Sequence, residues 1–242
     1  MTGSSRSARA ATVVRWPLAI AVVSWRYLWR TTPLHRSEDE GDSTDLPADW
    51  DRDDDTDLGV RRQGMADGVG PMVHRRYTVW IIGSTMSPTT LVDAVAANLN
   101  RASPEIAAFV KTLGPDGPVR DGDEYVVRMP GPWNGPVRAV RRDPTALRLL
   151  TLDGHLEAGQ IEFRAAADGD ALRFDIESWT RAGDRLAELL YNRVRLAKEI
   201  QLNMWTHFCL RAAALANGRP RGGVTIVTRS VPWPPSWLDG SQ

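Results

Sequence analysis

The sequence predicts an α+β fold in which a curved antiparallel sheet wraps around one long C-terminal helix, with a separate apolar helix at the N-terminus. Three observations carry this. Asp184 to Gly218 runs for about thirty residues without an internal Gly or Pro. The hundred residues before it break into short alternating segments separated by turn signals. The first seventy have another composition altogether, an apolar, aromatic-flanked run followed by a run of acids.

Residues 1–37 come first. Val13 to Trp29 is apolar apart from Arg15 and Arg26, and Trp16, Trp25, Tyr27 and Trp29 sit near its ends. The run reaches only the lower limit of a spanning helix, and it lacks the small-residue cleavage site of a signal peptide. It is therefore expected to lie in a membrane interface through those four aromatics. Docking on its own domain and a true span are the competing readings. Flanking arginines on both sides give no orientation from charge. Residues 38–69 hold eleven acids between Glu38 and Asp57, with Arg52 the only base among them. Self-repulsion and few apolar residues predict an extended, disordered linker.

The folded domain is expected over residues 70–231. Arg75–Gly83 alternates and reads as a strand. Ser87-Pro88 opens a helix, with proline at its first position, and Ser103-Pro104 repeats the device for a second short helix through Lys111. Strands follow at Glu124–Met129, Val137–Arg142, Ala146–Leu152, Gln160–Ala166 and Ala171–Trp179, with Asp168-Gly169 as the hairpin signal between the last two. Leu172, Phe174 and Ile176 alternate with Arg173, Asp175 and Glu177, which predicts one buried and one wet face.

Asp184 is placed to cap the long helix, and Asn217-Gly218 to stop it, glycine taking the left-handed conformation at low cost. Leu186, Leu190, Ala197, Ile200, Met204, Phe208 and Leu215 share one face of its wheel. Val224–Val231 is a last strand, and residues 232–242 form a Pro/Trp tail.

Composition bounds function mainly by exclusion. The 242 residues carry 30 basic and 30 acidic side chains, so net charge argues for no nucleic-acid partner. Cys209 is the only cysteine, which excludes an intramolecular disulfide and a cysteine zinc site. His35, His74 and His207 show no ligand spacing for a metal, and no glycine-rich phosphate loop follows a strand. Neither metal nor cofactor is expected.

This order of elements resembles the helix-grip architecture of the START-like superfamily, whose members usually enclose an apolar cavity between sheet and helix. Thr151 to Gly159, with its Gly-His-x-Glu-Ala-Gly turn, and Glu177-Ser178-Trp179 are similar to a bacterial family known only as a domain of unknown function. The resemblance covers about residues 70 to 230. It implies a site for a hydrophobic or lipid-like small molecule and implies no particular activity.

The candidate ligand-binding residues are Arg193, Ile200, Gln201, Met204, Trp205 and Phe208 on the helix, with Phe174 and Ile176 on the sheet. An arginine inside such a site needs a partner or a ligand anion. His155 and Glu157 are the weak catalytic candidates, a histidine and a carboxylate able to exchange a proton. The alternative is that they merely tie the turn. Binding near a membrane, at its cytoplasmic face, is the reading preferred over a cyclase- or hydrolase-type enzyme or an interaction protein.

Overall fold

The computed structural model describes residues 33–47, 62–105, 107–129, 134–184 and 196–233. Nine strands form one sheet: β1 (Leu34–Glu40), β2 (Val69–Ile82), β3 (Ala108–Leu113), β4 (Glu124–Arg128), β5 (Asn134–Asp143), β6 (Ala146–Thr151), β7 (Glu157–Asp168), β8 (Ala171–Ala182) and β9 (Arg219–Val231). Their spatial order is β1-β9-β2-β8-β7-β6-β5-β4-β3. Strands β3 to β8 are a meander of antiparallel neighbours, and β9 returns to the free side of β2. Helix α1 (Pro88–Ala97) begins at Ser87, whose hydroxyl accepts from the Thr90 amide, with Pro88 at the first position. Helix α2 is described over Leu196–Leu215 and packs on β2, β8 and β9. The result is a curved, mostly-sheet α+β fold gripping a helix.

The C-terminus of α2 closes in a Schellman motif, with Gly218 N–H donating to Ala213 O and Asn217 N–H to Ala214 O, both at 3.0 Å. Asn217, not Gly218, takes the left-handed conformation (φ 53°). Glycine is needed at 218 for another reason. A Cβ there would lie 2.4 Å from Ile81 Cγ2, so the missing side chain lets the helix end settle on β2.

Several expectations change. Residues 103–111 form no second helix: a 3-10 turn over Leu99–Arg101 is followed by β3. Asn100 fixes that course, accepting from Phe109 N–H at 2.7 Å and donating to Phe109 O at 2.9 Å. The acidic stretch is not wholly a disordered linker. Leu34–Glu40 pairs in parallel with β9, and Asp42 caps a 3-10 turn over Ser43–Asp45. An edge strand leaves its acids in water while β9 satisfies one side of its backbone. The acids from Asp49 to Asp57 lie outside the described residues, as do the N-terminal segment with Trp16, Trp25, Tyr27 and Trp29, and the start of the long helix.

Strand parity sets the two faces. Tyr77, Val79 and Ile81 on β2, Phe163 and Ala165 on β7, and Phe174 and Ile176 on β8 all point at the helices and are buried. The opposite face is not the wet one expected. Asp175, Glu177 and Glu162 are 7, 8 and 2% exposed, because basic side chains lie across them. Glu162 accepts from Arg148 Nε at 2.9 Å and Nη2 at 2.7 Å. Arg173 Nε donates to Asp175 at 2.9 Å, and His74 lies between Glu177 (2.7 Å) and Asp45 (2.9 Å) with its ring stacked on Trp179. Leu46, Met65, Met72, Trp179, Val231 and Trp233 form a small second core there, which holds the start of the tail to the sheet.

Candidate functional site

The interior between α2 and the sheet is apolar toward the helix C-terminus. Phe208 lies 5.0 Å from Phe163, 5.8 Å from Trp205 and 6.3 Å from Phe174, centroid to centroid. Met204 and Ile176 are buried in the same cluster. Five of the expected ligand residues, Met204, Trp205, Phe208, Phe174 and Ile176, therefore pack one continuous aromatic and aliphatic wall. The indole N–H of Trp205 is buried in that wall and makes no hydrogen bond among the described residues.

Toward the start of described α2 the wall turns polar. Gln201, one turn before Trp205 on the same helix face, accepts from Arg75 Nη1 at 3.0 Å and donates to Glu157 Oε2 at 2.6 Å. Arg75 also donates through Nε to Thr228 Oγ1 at 3.2 Å, and Thr180 Oγ1 donates to Glu157 Oε1 at 3.3 Å. Arg75 is 2% exposed and Glu157 7%. A cation and an anion are thus buried on one wall, joined through a neutral amide. The Tyr77 hydroxyl lies beside Arg75, and burial pushes its pKa up to about 12 against the opposing pull of that guanidinium, so it stays a proton donor.

Local sequence explains how these side chains arrive. On β2, Arg75 has the parity of Tyr77, Val79 and Ile81. On β7, Glu157 has the parity of Ile161 and Phe163. Between them Gly159 (φ 150°) leaves the inner face of β7 bare; a Cβ there would stand 2.1 Å from Trp179 O. Beside Glu157, Thr180 and Arg181 is a pocket of about 20 Å³, room for one water.

His155 and Glu157 do not form an acid–base pair. Their side chains part: the Glu157 amide donates to His155 Nδ1 at 2.9 Å, while the Glu157 carboxylate turns inward to Gln201. His155 thus ties the turn, its ring packed against Gly135, where a Cβ would lie 2.9 Å from Nε2. Burial lowers its pKa below the ordinary value, partly offset by the Glu157 charge and backbone carbonyl. Gln63 clasps the same turn, donating to His155 O at 2.9 Å and accepting from Gly154 N–H at 3.0 Å. Arg193 lies outside the described residues, and the side chain of Ile200 is likewise not described. Sequence reading passed over Arg75, Thr180, Thr228 and Gln63. Strand parity was the available signal for the first three; for Gln63 none was.

At the other end of the concave face, a cleft of about 290 Å³ lies between the Leu99–Arg101 turn and strands β3 and β4, lined by Phe109, Tyr125, Val119 and Lys111 among others. The Lys111 ammonium donates to Pro115 O (2.8 Å) and Asp123 Oδ2 (2.7 Å). That group is therefore engaged in holding the loop. Among the described residues no group of His, Cys, Asp and Glu side chains could hold a metal ion.

Fold and wall together define a class: an α+β domain whose concave sheet closes on a C-terminal helix over a partly polar interior. The chain belongs to the family described as a domain of unknown function, DUF1990, whose model matches residues 39–212. No curated protein matches it. Among solved structures it is similar to the di-domain ARO/CYC StfQ from the steffimycin biosynthetic pathway, at 10% identity and a TM-score of 0.46, covering 63% of this chain and 52% of that one. It is similar to the KanY protein (ms6282), at 10% identity and a TM-score of 0.43, covering 62% and 99%. A third likeness is Ara h 8.0201, at 11% identity and a TM-score of 0.39, covering 60% and 99%. The chain spans about half the length of StfQ. Likenesses of this size describe partial agreement in fold and leave ligand and activity to the site itself.

Proposed function

We propose that this protein binds a hydrophobic or lipid-like small molecule on the concave face of the sheet, against α2, without turning it over. The observation that carries the reading is the Arg75–Gln201–Glu157 chain set into an otherwise apolar wall. Burying two charges costs free energy that apolar packing of the same volume would not, and Gln201, only half-buried, is where that chain meets the helix. A ligand's apolar body would lie along Trp205, Met204 and Phe208, with Phe174 and Ile176 beneath. On the helical wheel of the sequence Ile200 shares that stripe and Arg193 falls almost on it. Native mass spectrometry after gentle purification tests the reading. A co-purifying small molecule, lost on delipidation and regained on incubation with extracted lipid, supports it; no bound species and no uptake of a neutral apolar dye would overturn it.

The membrane part of the proposal rests on sequence alone, on the Val13–Trp29 run with Trp16, Trp25, Tyr27 and Trp29. The full chain is expected to float with liposomes and a chain starting at Pro33 to stay in the soluble fraction. Equal partition of the two would remove the membrane from the account. The alternative, a cyclase- or hydrolase-type enzyme using the same interior, has less support: the Glu157 amide meets His155 Nδ1 while the Glu157 carboxylate turns to Gln201.

A further inference from the structure

We infer that the protein pairs with a second copy of itself through β1, the two β1 strands running antiparallel about a two-fold axis at Ser37 and joining two nine-stranded sheets into one. Among the described residues β1 is the last strand on its side of the sheet, and every residue from His35 to Glu40 is exposed. A strand paired on one side only presents the N–H and C=O groups of alternate residues as a template for another strand. Two bonds fix which residues these are. Pro33 O accepts from Val224 N–H at 3.1 Å, and Gly41 N–H donates to Ser230 O at 2.9 Å. The parallel pairing between them is unbroken from Leu34 to Glu40. His35, Ser37 and Asp39 therefore turn their backbone groups toward β9, and Leu34, Arg36, Glu38 and Glu40 turn theirs outward. The opposite edge of the sheet is closed to such pairing. There Asn100 occupies the N–H and C=O of Phe109, and β3 shifts register between Lys111 and Leu113.

The open edge, Leu-His-Arg-Ser-Glu-Asp-Glu, is its own complement. Antiparallel strands bond where the outward residues of one face the outward residues of the other. Setting Arg36 against the partner's Glu38, and Leu34 against the partner's Glu40, achieves this for all four residues and yields about eight N–H···O bonds. Ser37 then faces the partner's Ser37, and His35 faces the partner's Asp39. The smallest slips that keep outward groups facing put Arg36 against Arg36, or Glu38 against Glu38. Opposite charges across a strand pair are favourable and like charges unfavourable, so one register is selected. That selection depends only on the signs along the strand, whatever contacts Arg36 and Glu38 keep within their own chain.

The test uses the full chain in a mild non-ionic detergent. On the axis, Ser37 and its copy form a non-hydrogen-bonded pair with Cα atoms about 4.5 Å apart, a separation that a disulfide spans. Asp39 and its copy lie four residues apart along the strand, about 13 Å. Mild oxidation is therefore expected to link Ser37→Cys into a dimer at least tenfold more than Asp39→Cys, with wild type unlinked because Cys209 is buried. In sedimentation velocity the wild type is expected to run as a dimer, Arg36→Glu as a monomer, and the exchanged pair Arg36→Glu/Glu38→Arg as a dimer again. Circular dichroism checks the fold of each charge variant, and the cysteine comparison reads the register independently of them. A monomeric wild type, equal linking at positions 37 and 39, or a dimer that Arg36→Glu leaves intact overturns the inference; each leaves the ligand-binding reading standing.

Discussion

Replacing Gln201 by leucine tests whether the polar wall is one coupled unit. Leucine fills much of the same volume but can neither accept from Arg75 nor donate to Glu157, so two bonds to charged groups are lost, at 3.0 and 2.6 Å. Hydrogen bonds to charged groups contribute about 1.5–3 kcal/mol each. Gln201 is half-buried, so water can replace part of what is lost, and a net destabilisation of about 2–4 kcal/mol is expected. For a domain of this size each kcal/mol moves the melting temperature by roughly 2–4 °C. Differential scanning calorimetry of Gln201→Leu should therefore show a fall of roughly 5–15 °C. A second variant, Glu157→Leu, and the double variant complete a cycle. The double loss should fall short of the sum of the single losses by about 1–3 kcal/mol, because each single change strands the other's partner. Strictly additive losses, or a shift within about 1 °C for Gln201→Leu, would refute the reasoning.

Three further outcomes follow from the geometry. Gly159→Ala should be poorly folded or strongly destabilised in chemical denaturation, since its Cβ would meet Trp179 O at 2.1 Å with φ at 150°; Gly154→Ala, at a position with open space around it, should lose far less. His155 has a folded pKa below its ordinary 6.5, so the unfolded chain takes up the proton first. Its contribution to stability is present above pH 6.5 and lost as pH falls below it, and urea titrations of His155→Gln should lack that limb. Burial opposes ionisation of Glu177, yet hydrogen bonds from His74 and Arg76 outweigh it and hold its pKa below 4.5, so a second loss belongs below that pH and should persist in His155→Gln. Cys209 is buried, and desolvation pushes its thiol well above the ordinary range; native protein should resist a thiol reagent that labels it fully in denaturant.

The sequence reading was strongest where local pattern and tertiary packing agree. The gripped helix, its stop at Asn217-Gly218, the Ser87-Pro88 start of α1 and the β7–β8 hairpin all carry local chemistry that the fold keeps. It failed where a partner far along the chain decides. The acids of β1 look unfit for a strand until β9, some 190 residues later, supplies a ladder. Phe109 and Lys111 read as helix because Ser103-Pro104 imitates Ser87-Pro88, yet Asn100 captures the backbone of Phe109 first. The convex face reads as wet because alternation reports which residues oppose the core and says nothing about arginines lying over them. Of the candidate site, Met204, Trp205, Phe208 and Gln201 were legible from helical spacing, and Phe174 and Ile176 from strand alternation. Arg75 and Glu157 were visible only as members of a strand and a turn. Their inward direction follows from parity, and their meeting through Gln201 depends on the crossing of helix and sheet.

The most direct test of the account is native mass spectrometry of the gently purified full chain, before and after delipidation and after incubation with extracted lipid. The account predicts a bound small molecule that is lost on delipidation and regained on incubation. Bare protein in all three spectra would contradict it.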